Sequence, residues 1–172
     1  MNRVEVRAEE VPLPPWADSL AGFSVKALDA LGKDNWDLSI LLCGDTYIRR
    51  LNSQYRDRDE ATDVLSFALG ENCPDGEGGN RYLPGDIVVS LKTLEENSRY
   101  FEVSFDEELC RVIIHGILHL SGMDHETNGK DEPMLLLQEE LLKKTKERIL
   151  PPETRRAEIP ERTGRAGYYE RG

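Results

Sequence analysis

The stretch HGILHLSGMDH, His115 to His125, constrains the fold more than any other part of the chain. It contains all 3 histidines of the 172-residue sequence: His115, His119 and His125. On an α-helix four residues advance about 400° and about 6 Å, so His115 and His119 project from one face, one turn apart. Gly122 offers that helix a C-terminal stop, because glycine reaches the left-handed conformation cheaply. Beyond it the chain can turn back and bring in His125 as a third ligand. Three neutral imidazoles with a fourth position open form the pattern of catalytic zinc sites; structural sites usually close with four ligands, often cysteines. A lone histidine would read as the polar end of a buried helix, but three at H-x3-H-x5-H read as a metal site. We therefore expect one Zn2+ per chain on His115, His119 and His125. Cys110, about 140° around the helix from His115, is a poor fourth ligand.

The spacing also matches the extended zinc-protease helix, with one omission. That helix reads H-E-x-x-H, its glutamate being the general base for the metal-bound water, and here the position after His115 is Gly116. A glycine inside a helix costs about 1 kcal/mol relative to alanine, so it should have a reason; one candidate is free space beside the metal for a bulky substrate group. A metal that acidifies water still points to hydrolysis, with peptide hydrolysis weakened. A small metallopeptidase drawing its base from elsewhere stays an alternative. Asp124 and Glu126 are nearby carboxylates, expected to hydrogen-bond the metal ligands rather than act as the base.

Hydrophobic periodicity supplies the frame around this helix. Arg3–Arg7 alternates as a first strand, and Pro12, Pro14 and Pro15 end it. A helix over Ala17–Leu31 carries Leu20, Phe23, Leu28 and Leu31 on one stripe. Trp36–Cys43 is apolar enough for an interior strand. Asp45 is expected to N-cap a helix to about Tyr55, with Ile48, Leu51 and Tyr55 facing inward. Strands follow at Asp63–Ala68 and Asp86–Ser90, separated by Gly70–Arg81 (GENCPDGEGGNR), which reads as a mobile, acidic, glycine-rich loop. Ser90 can cap a helix to about Phe101, and Ser104 with Glu107 has the form of a capping box opening the histidine helix. A last helix spans about Glu132–Arg148, with Pro133 in its first turn. The expected fold is α+β: a single four-stranded mixed sheet packed with about five helices, one of them a zincin-like metal helix. Residues 1–150 form the domain, and the charged, proline-bearing segment 151–172 is expected to be a disordered tail.

Charge narrows the setting. A net charge of -11 argues against tight non-specific binding to nucleic acid, without excluding a local basic groove. The 3 cysteines, Cys43, Cys73 and Cys110, are an odd, widely spaced set and fit a reduced compartment. With no membrane-spanning stretch and no leader-like N-terminus, the expected location is cytoplasmic.

Arg49, Arg50, Arg56 and Arg58 cluster in this acidic chain. Arg49 and Arg50 read as a solvated helix face. Arg56 lies where the helix ends and the chain returns to the sheet, and a guanidinium fork near a metal can clamp a phosphate bidentately.

The blocks LNSQYRDRDEATDVLSF, LPGDIVVS and HGILHLSGMDHE, in this order, resemble the YbeY family of bacterial endoribonucleases, over roughly Trp36–Leu150. The strand block departs from the usual Ser-Phe-Pro, with Phe67 followed by Ala68, and Gly70–Arg81 is acidic where negative charge opposes an RNA backbone. The resemblance implies a zinc ion on His115, His119 and His125, a phosphate-gripping Arg56, and single-stranded RNA near the tail end of small-subunit ribosomal RNA as substrate. It also implies ribosomal small-subunit proteins and an Era-like assembly GTPase as partners, in ribosomal RNA maturation and ribosome quality control. Arg56 and His115 are the candidate catalytic residues. A non-catalytic assembly factor keeping a structural zinc is the other alternative, since an acidic surface suits basic ribosomal partners.

Overall fold

A computed structural model of the chain describes residues 1–145 and 149–150. Its elements run β1 (Arg3–Ala8), α1 (Ala17–Ala30), β2 (Asp37–Cys43), α2 (Asp45–Arg56), β3 (Val64–Pro74), β4 (Asn80–Ser90), α3 (Leu91–Tyr100), α4 (Phe105–Leu120) and α5 (Pro133–Thr145). The four strands form one mixed sheet in the order β1-β2-β4-β3, with β1, β2 and β4 parallel and β3 antiparallel at one edge. This is the α+β architecture expected. The segment 151–172 and the last three residues of the expected final helix lie outside the described residues.

Alternation along the strands divides the interior in two. Leu38, Ile40 and Leu42 of β2, with Ile87 and Val89 of β4, face the larger core, which α1, α4 and α5 fill. Leu65, Val88 and Cys43 face the opposite side, where Ile48 of α2 covers them. Helix α4 runs through the larger core, with Leu109, Val112, Ile113 and Ile117 fully buried. Burial of this apolar set, at roughly 25 cal/mol per Å2, is the main force holding the histidine helix in place.

The caps explain where the elements begin and end. Ser104 Oγ accepts from the Glu107 amide at 3.1 Å and starts α4; Ser90 Oγ accepts from Thr93 at 3.4 Å and starts α3. Asp45 does not cap α2. The cap position is Gly44, and Asp45, in the first turn, accepts instead from Ser90 Oγ at 2.7 Å and Thr93 Oγ1 at 2.6 Å, tying α2 to α3. Asp57 ends α2 in the left-handed conformation with φ of 55°, which leaves Arg56 as the last helical residue. Tyr55, expected inside, is 62% exposed and meets Phe67 edge-on at 5.3 Å.

The largest correction concerns Gly70–Arg81. It is not an unstructured loop: β3 and β4 continue past a bulge between Ala68 and Glu71 and pair from Glu71↔Leu83 to Pro74↔Asn80. At the tip Asp75 Oδ1 accepts the amides of Glu77 and Gly79 at 2.8 Å each, and Gly76 and Gly78 take positive φ. At its base Arg81, 8% exposed, donates to Asp37 Oδ1 at 2.7 Å and to the Met1 carbonyl at 2.9 Å. A two-stranded ladder is held by backbone hydrogen bonds and turn chemistry, so polar exposed residues sustain it without the apolar alternation a sequence reading looks for.

Candidate metal centre and the clefts beside it

The C-terminus of α4 explains how three histidines meet. Gly122, with φ of 95°, donates to the His119 carbonyl at 3.0 Å, and Met123 donates to the Leu118 carbonyl at 3.0 Å. This is the Schellman arrangement, with Met123 packed back onto the core. It reverses the chain sharply enough to return His125 to the face carrying His115 and His119. One ligand-type nitrogen from each ring then lies within 4.8 Å of the others.

The hydrogen bonds of the rings set their tautomers. Nδ1 of His115 lies 2.7 Å from Gln138 Oε1, Nδ1 of His119 lies 3.1 Å from the Met123 carbonyl, and Nδ1 of His125 lies 2.8 Å from the Thr127 carbonyl. Each partner atom is an acceptor, so each Nδ1 carries the hydrogen and each Nε2 presents a lone pair. Nε2 of His115 and Nε2 of His119 are 3.0 Å apart. Two neutral rings so arranged face lone pair to lone pair, which a cation between them relieves. Tetrahedral zinc, with Zn–N of about 2.0–2.1 Å, separates its nitrogens by about 3.3 Å. The donor set therefore fits a zinc-type ion, and the three histidines form a group able to hold a metal.

Burial differs along the set: His115 is 1% exposed, while His119 and His125 are partly exposed. For His119, burial pushes the imidazole below its ordinary pKa; the Met123 carbonyl and Asp124 pull the other way, and His125 and Arg56 add to the depression. A depressed pKa keeps the ring neutral, the state a metal ligand requires.

Several sequence expectations change here. Gly116 does not leave space beside the histidines. A Cβ at this position would lie 2.8 Å from Ile87 Cδ1 and 2.9 Å from Cγ1, so the glycine lets α4 press onto β4. A glutamate there would be driven into the sheet, which accounts for the missing protease base. Asp124 hydrogen-bonds a ligand residue as expected, but at its backbone amide and not its ring, and Glu126 makes no such bond among the described residues. Asp124 accepts from the His125 amide at 2.8 Å and stands 3.9 Å from His119 Nδ1, while Glu126 lines a neighbouring cleft. The orienting residue that sequence reasoning missed is Gln138 on α5, 2% exposed. Its only sequence signal is a polar residue within the apolar stripe of Met134, Leu137 and Leu141. Cys110 is buried and does not join the histidine group.

The arginines separate as their positions suggested. Arg49 pairs with Asp59 through two bonds of 2.8 and 3.0 Å, and Arg50 pairs with Glu10. Arg56 has no ion pair among the described residues, and burial, followed by the nearby Arg58, lowers its pKa. With Arg58 and His125 it lines two clefts. One, of about 450 Å3, extends over Asn52, Thr62, Thr93 and Asn97; the other contains His119, Gly122 and Asp124. Arg56 thus stands at the junction of the histidine group and an open polar cleft.

Residues 7–146 match the family described as Endoribonuclease YbeY. The chain belongs to the YbeY endoribonuclease family. The Endoribonuclease YbeY of Treponema pallidum (strain Nichols) is 50% identical over 143 residues, covering 83% of this chain and 89% of the relative. That of Treponema denticola is 51% identical over 120 residues, covering 70% and 77%. The solution structure of TM1509 from Thermotoga maritima superposes with a TM-score of 0.56 at 31% identity, covering 84% of this chain and 89% of that one. The YbeY match takes in α2, α4, the histidine turn and α5, so Arg56, the three histidines and Gln138 all fall inside it. Among the described residues no helix is long and apolar enough to cross a membrane.

Proposed function

We propose that this chain is a zinc-dependent endoribonuclease that cuts single-stranded RNA near the tail end of small-subunit ribosomal RNA, acting in the cytoplasm in ribosome maturation and quality control. His115, His119 and His125 would hold one zinc through Nε2, with Arg56 as the phosphate-gripping residue. The observation carrying this reading is the pairing of three lone-pair-presenting Nε2 atoms with an arginine that has no ion-pair partner among the described residues and sits at the mouth of an open polar cleft.

A zinc ion in such a site polarises a phosphoryl oxygen or acidifies a bound water. The protein's own groups do the rest. Gln138 Oε1 and the carbonyls of Met123 and Thr127 accept from Nδ1, fixing the tautomer and aiming each Nε2. Arg56 offers its fork to the scissile phosphate and stabilises the charge that builds in the transition state. The net charge of -11 suits basic small-subunit proteins as partners, with an Era-like GTPase alongside them in the family pattern.

Elemental analysis of the purified protein, with cleavage of a single-stranded ribosomal RNA fragment with and without chelator, tests the reading. About one zinc per chain is expected, with cleavage lost on chelation and restored by zinc. Cleavage that survives complete metal removal would refute it. Zinc-bound protein that binds ribosomal subunits but cuts no RNA would favour the non-catalytic assembly factor. Product ends report the nucleophile, since a 2′,3′-cyclic phosphate marks attack by the RNA's own 2′-hydroxyl.

A further inference from the structure

The polar cleft has two chemically different ends. Arg56, Arg58 and His125 line both it and the cleft that holds His119, so they mark its metal-proximal end. Asn52, Thr93 and Asn97 line only the first cleft and mark its far end. Cations therefore stand beside the histidines, while amides, threonine hydroxyls and the carboxylates of Glu60, Asp63 and Glu126 line the remainder. A volume of about 450 Å3 falls within the ~300–1,000 Å3 range of small-ligand sites and accommodates one nucleotide unit.

Asn97 has a defined orientation in this cleft. Its Nδ2 donates to Asp63 Oδ2 at 3.3 Å. Asp63, 1% exposed, is anchored by the Val64 amide at 2.8 Å. Rotating the amide by half a turn would set its oxygen against a carboxylate oxygen, so Nδ2 faces Asp63. Oδ1 is then left with no protein donor among the described residues, and it is the acceptor available to a ligand.

We propose that this cleft is the subsite for the nucleotide next to the scissile phosphate, and that Asn97 selects there a base bearing an exocyclic amine over uracil. The proposal rests on the endoribonuclease reading and adds a base preference to it. The phosphate lies against Arg56 and Arg58, and the base points away from the histidines. An exocyclic amine donates to Asn97 Oδ1, and Glu60 is a second acceptor within the same lining. Uracil has no amine; its single edge donor, N3–H, can serve only one of the two acceptors, and the carbonyls flanking it then face carboxylate oxygens. Unstacked bases of single-stranded RNA are read in this way, along their edges.

The test titrates the zinc-loaded protein with AMP, CMP and UMP and follows binding by NMR. AMP and CMP should shift the Asn97 side-chain amide and bind about 5- to 10-fold more tightly than UMP, the scale of one net hydrogen bond. Asn97→Ala should abolish that difference with zinc content unchanged. Equal binding of the three nucleotides by the wild-type protein would overturn the proposal without recourse to any variant. An AMP preference that survives Asn97→Ala would overturn the role of Asn97. Nucleotide discrimination without RNA cleavage would keep the subsite and remove the endoribonuclease reading. RNA cleavage with no nucleotide discrimination would keep that reading and remove the subsite.

Discussion

The two halves of the histidine group are built by different means. His115 and His119 sit on a helix buried on nearly every side, with His115 anchored by a side chain from a separate helix, Gln138 of α5. His125 sits on a turn whose supports are local: the Asp124 side chain on its amide, the Thr127 carbonyl on its ring, and Glu132 on Thr127 at 2.9 Å. Helix geometry sets the first pair before any ligand arrives, because backbone hydrogen bonds and packing hold both rings. The third ring depends on a short stretch of chain with few apolar contacts, the kind of segment that opens at low free-energy cost. A rigid pair completed by a locally held third ligand should tie metal binding to the ordering of residues 121–132.

The largest effect expected is on metal content. His115→Ala, His119→Ala and His125→Ala should each strip most of the zinc, since three ligands leave none to spare. Full occupancy in His119→Ala would break the site as drawn, and full occupancy in His125→Ala would show that the helix pair needs no loop ligand. Next comes Arg56→Ala, expected to lower RNA cleavage by about 100-fold or more, the scale of one lost transition-state donor, with zinc content and melting temperature near wild type. Arg56→Lys should recover only part of that activity, because the charge remains and the fork is lost. Wild-type cleavage by Arg56→Ala would remove this residue from the mechanism.

Smaller changes bear on the comparison itself. Gln138→Leu should weaken zinc binding by about 10- to 100-fold, the usual cost of losing the group that orients a ligand. Thr127→Ala, which removes a hydroxyl but keeps the carbonyl under His125, should weaken it less; zinc competition titrations on both variants would reveal the reverse order if the turn were the stiffer support. In metal-free protein, His115→Ala should lower stability by about 1–3 kcal/mol, because Gln138 loses its partner in a buried setting. His125→Ala should be nearly neutral in the same unfolding experiment.

The last expected effect is of pH on the metal-free protein. The folded pKa of His119 lies below its ordinary value of 6.5, chiefly through burial. The unfolded chain therefore binds more protons as pH falls below about 6.5, so this contribution to stability is intact above that pH and is lost as pH falls through the folded value. His119→Gln should flatten that part of the stability profile, measured by denaturant unfolding between pH 7 and pH 5.

Much of this protein follows from local rules that the chain carries on its surface. The capping serines Ser90 and Ser104, the stop at Gly122, the four-residue spacing of His115 and His119 and the alternation in β2 each act within a few residues. Each therefore holds whatever packs around it. The features that differ from expectation depend on partners far along the chain. Gly116 reads as open space from its neighbours in sequence, but Ile87 of β4 fills that space. Gln138 gains its role only where α5 crosses α4 and brings its amide within 2.7 Å of His115. Gly70–Arg81 lacks apolar periodicity because its pairing runs through backbone groups, which are the same for every residue type but proline. The helix end puts Arg56 near the histidine group, but its separation from Arg49 and Arg50 becomes visible only with Asp59 and Glu10 occupying those two. Which histidines can share one face, and where the serine-capped helices begin, is therefore written in the chain alone. Which groups orient those residues, and which arginine stays open to a substrate, is set by tertiary contacts, because these join chain segments whose separation no local pattern encodes.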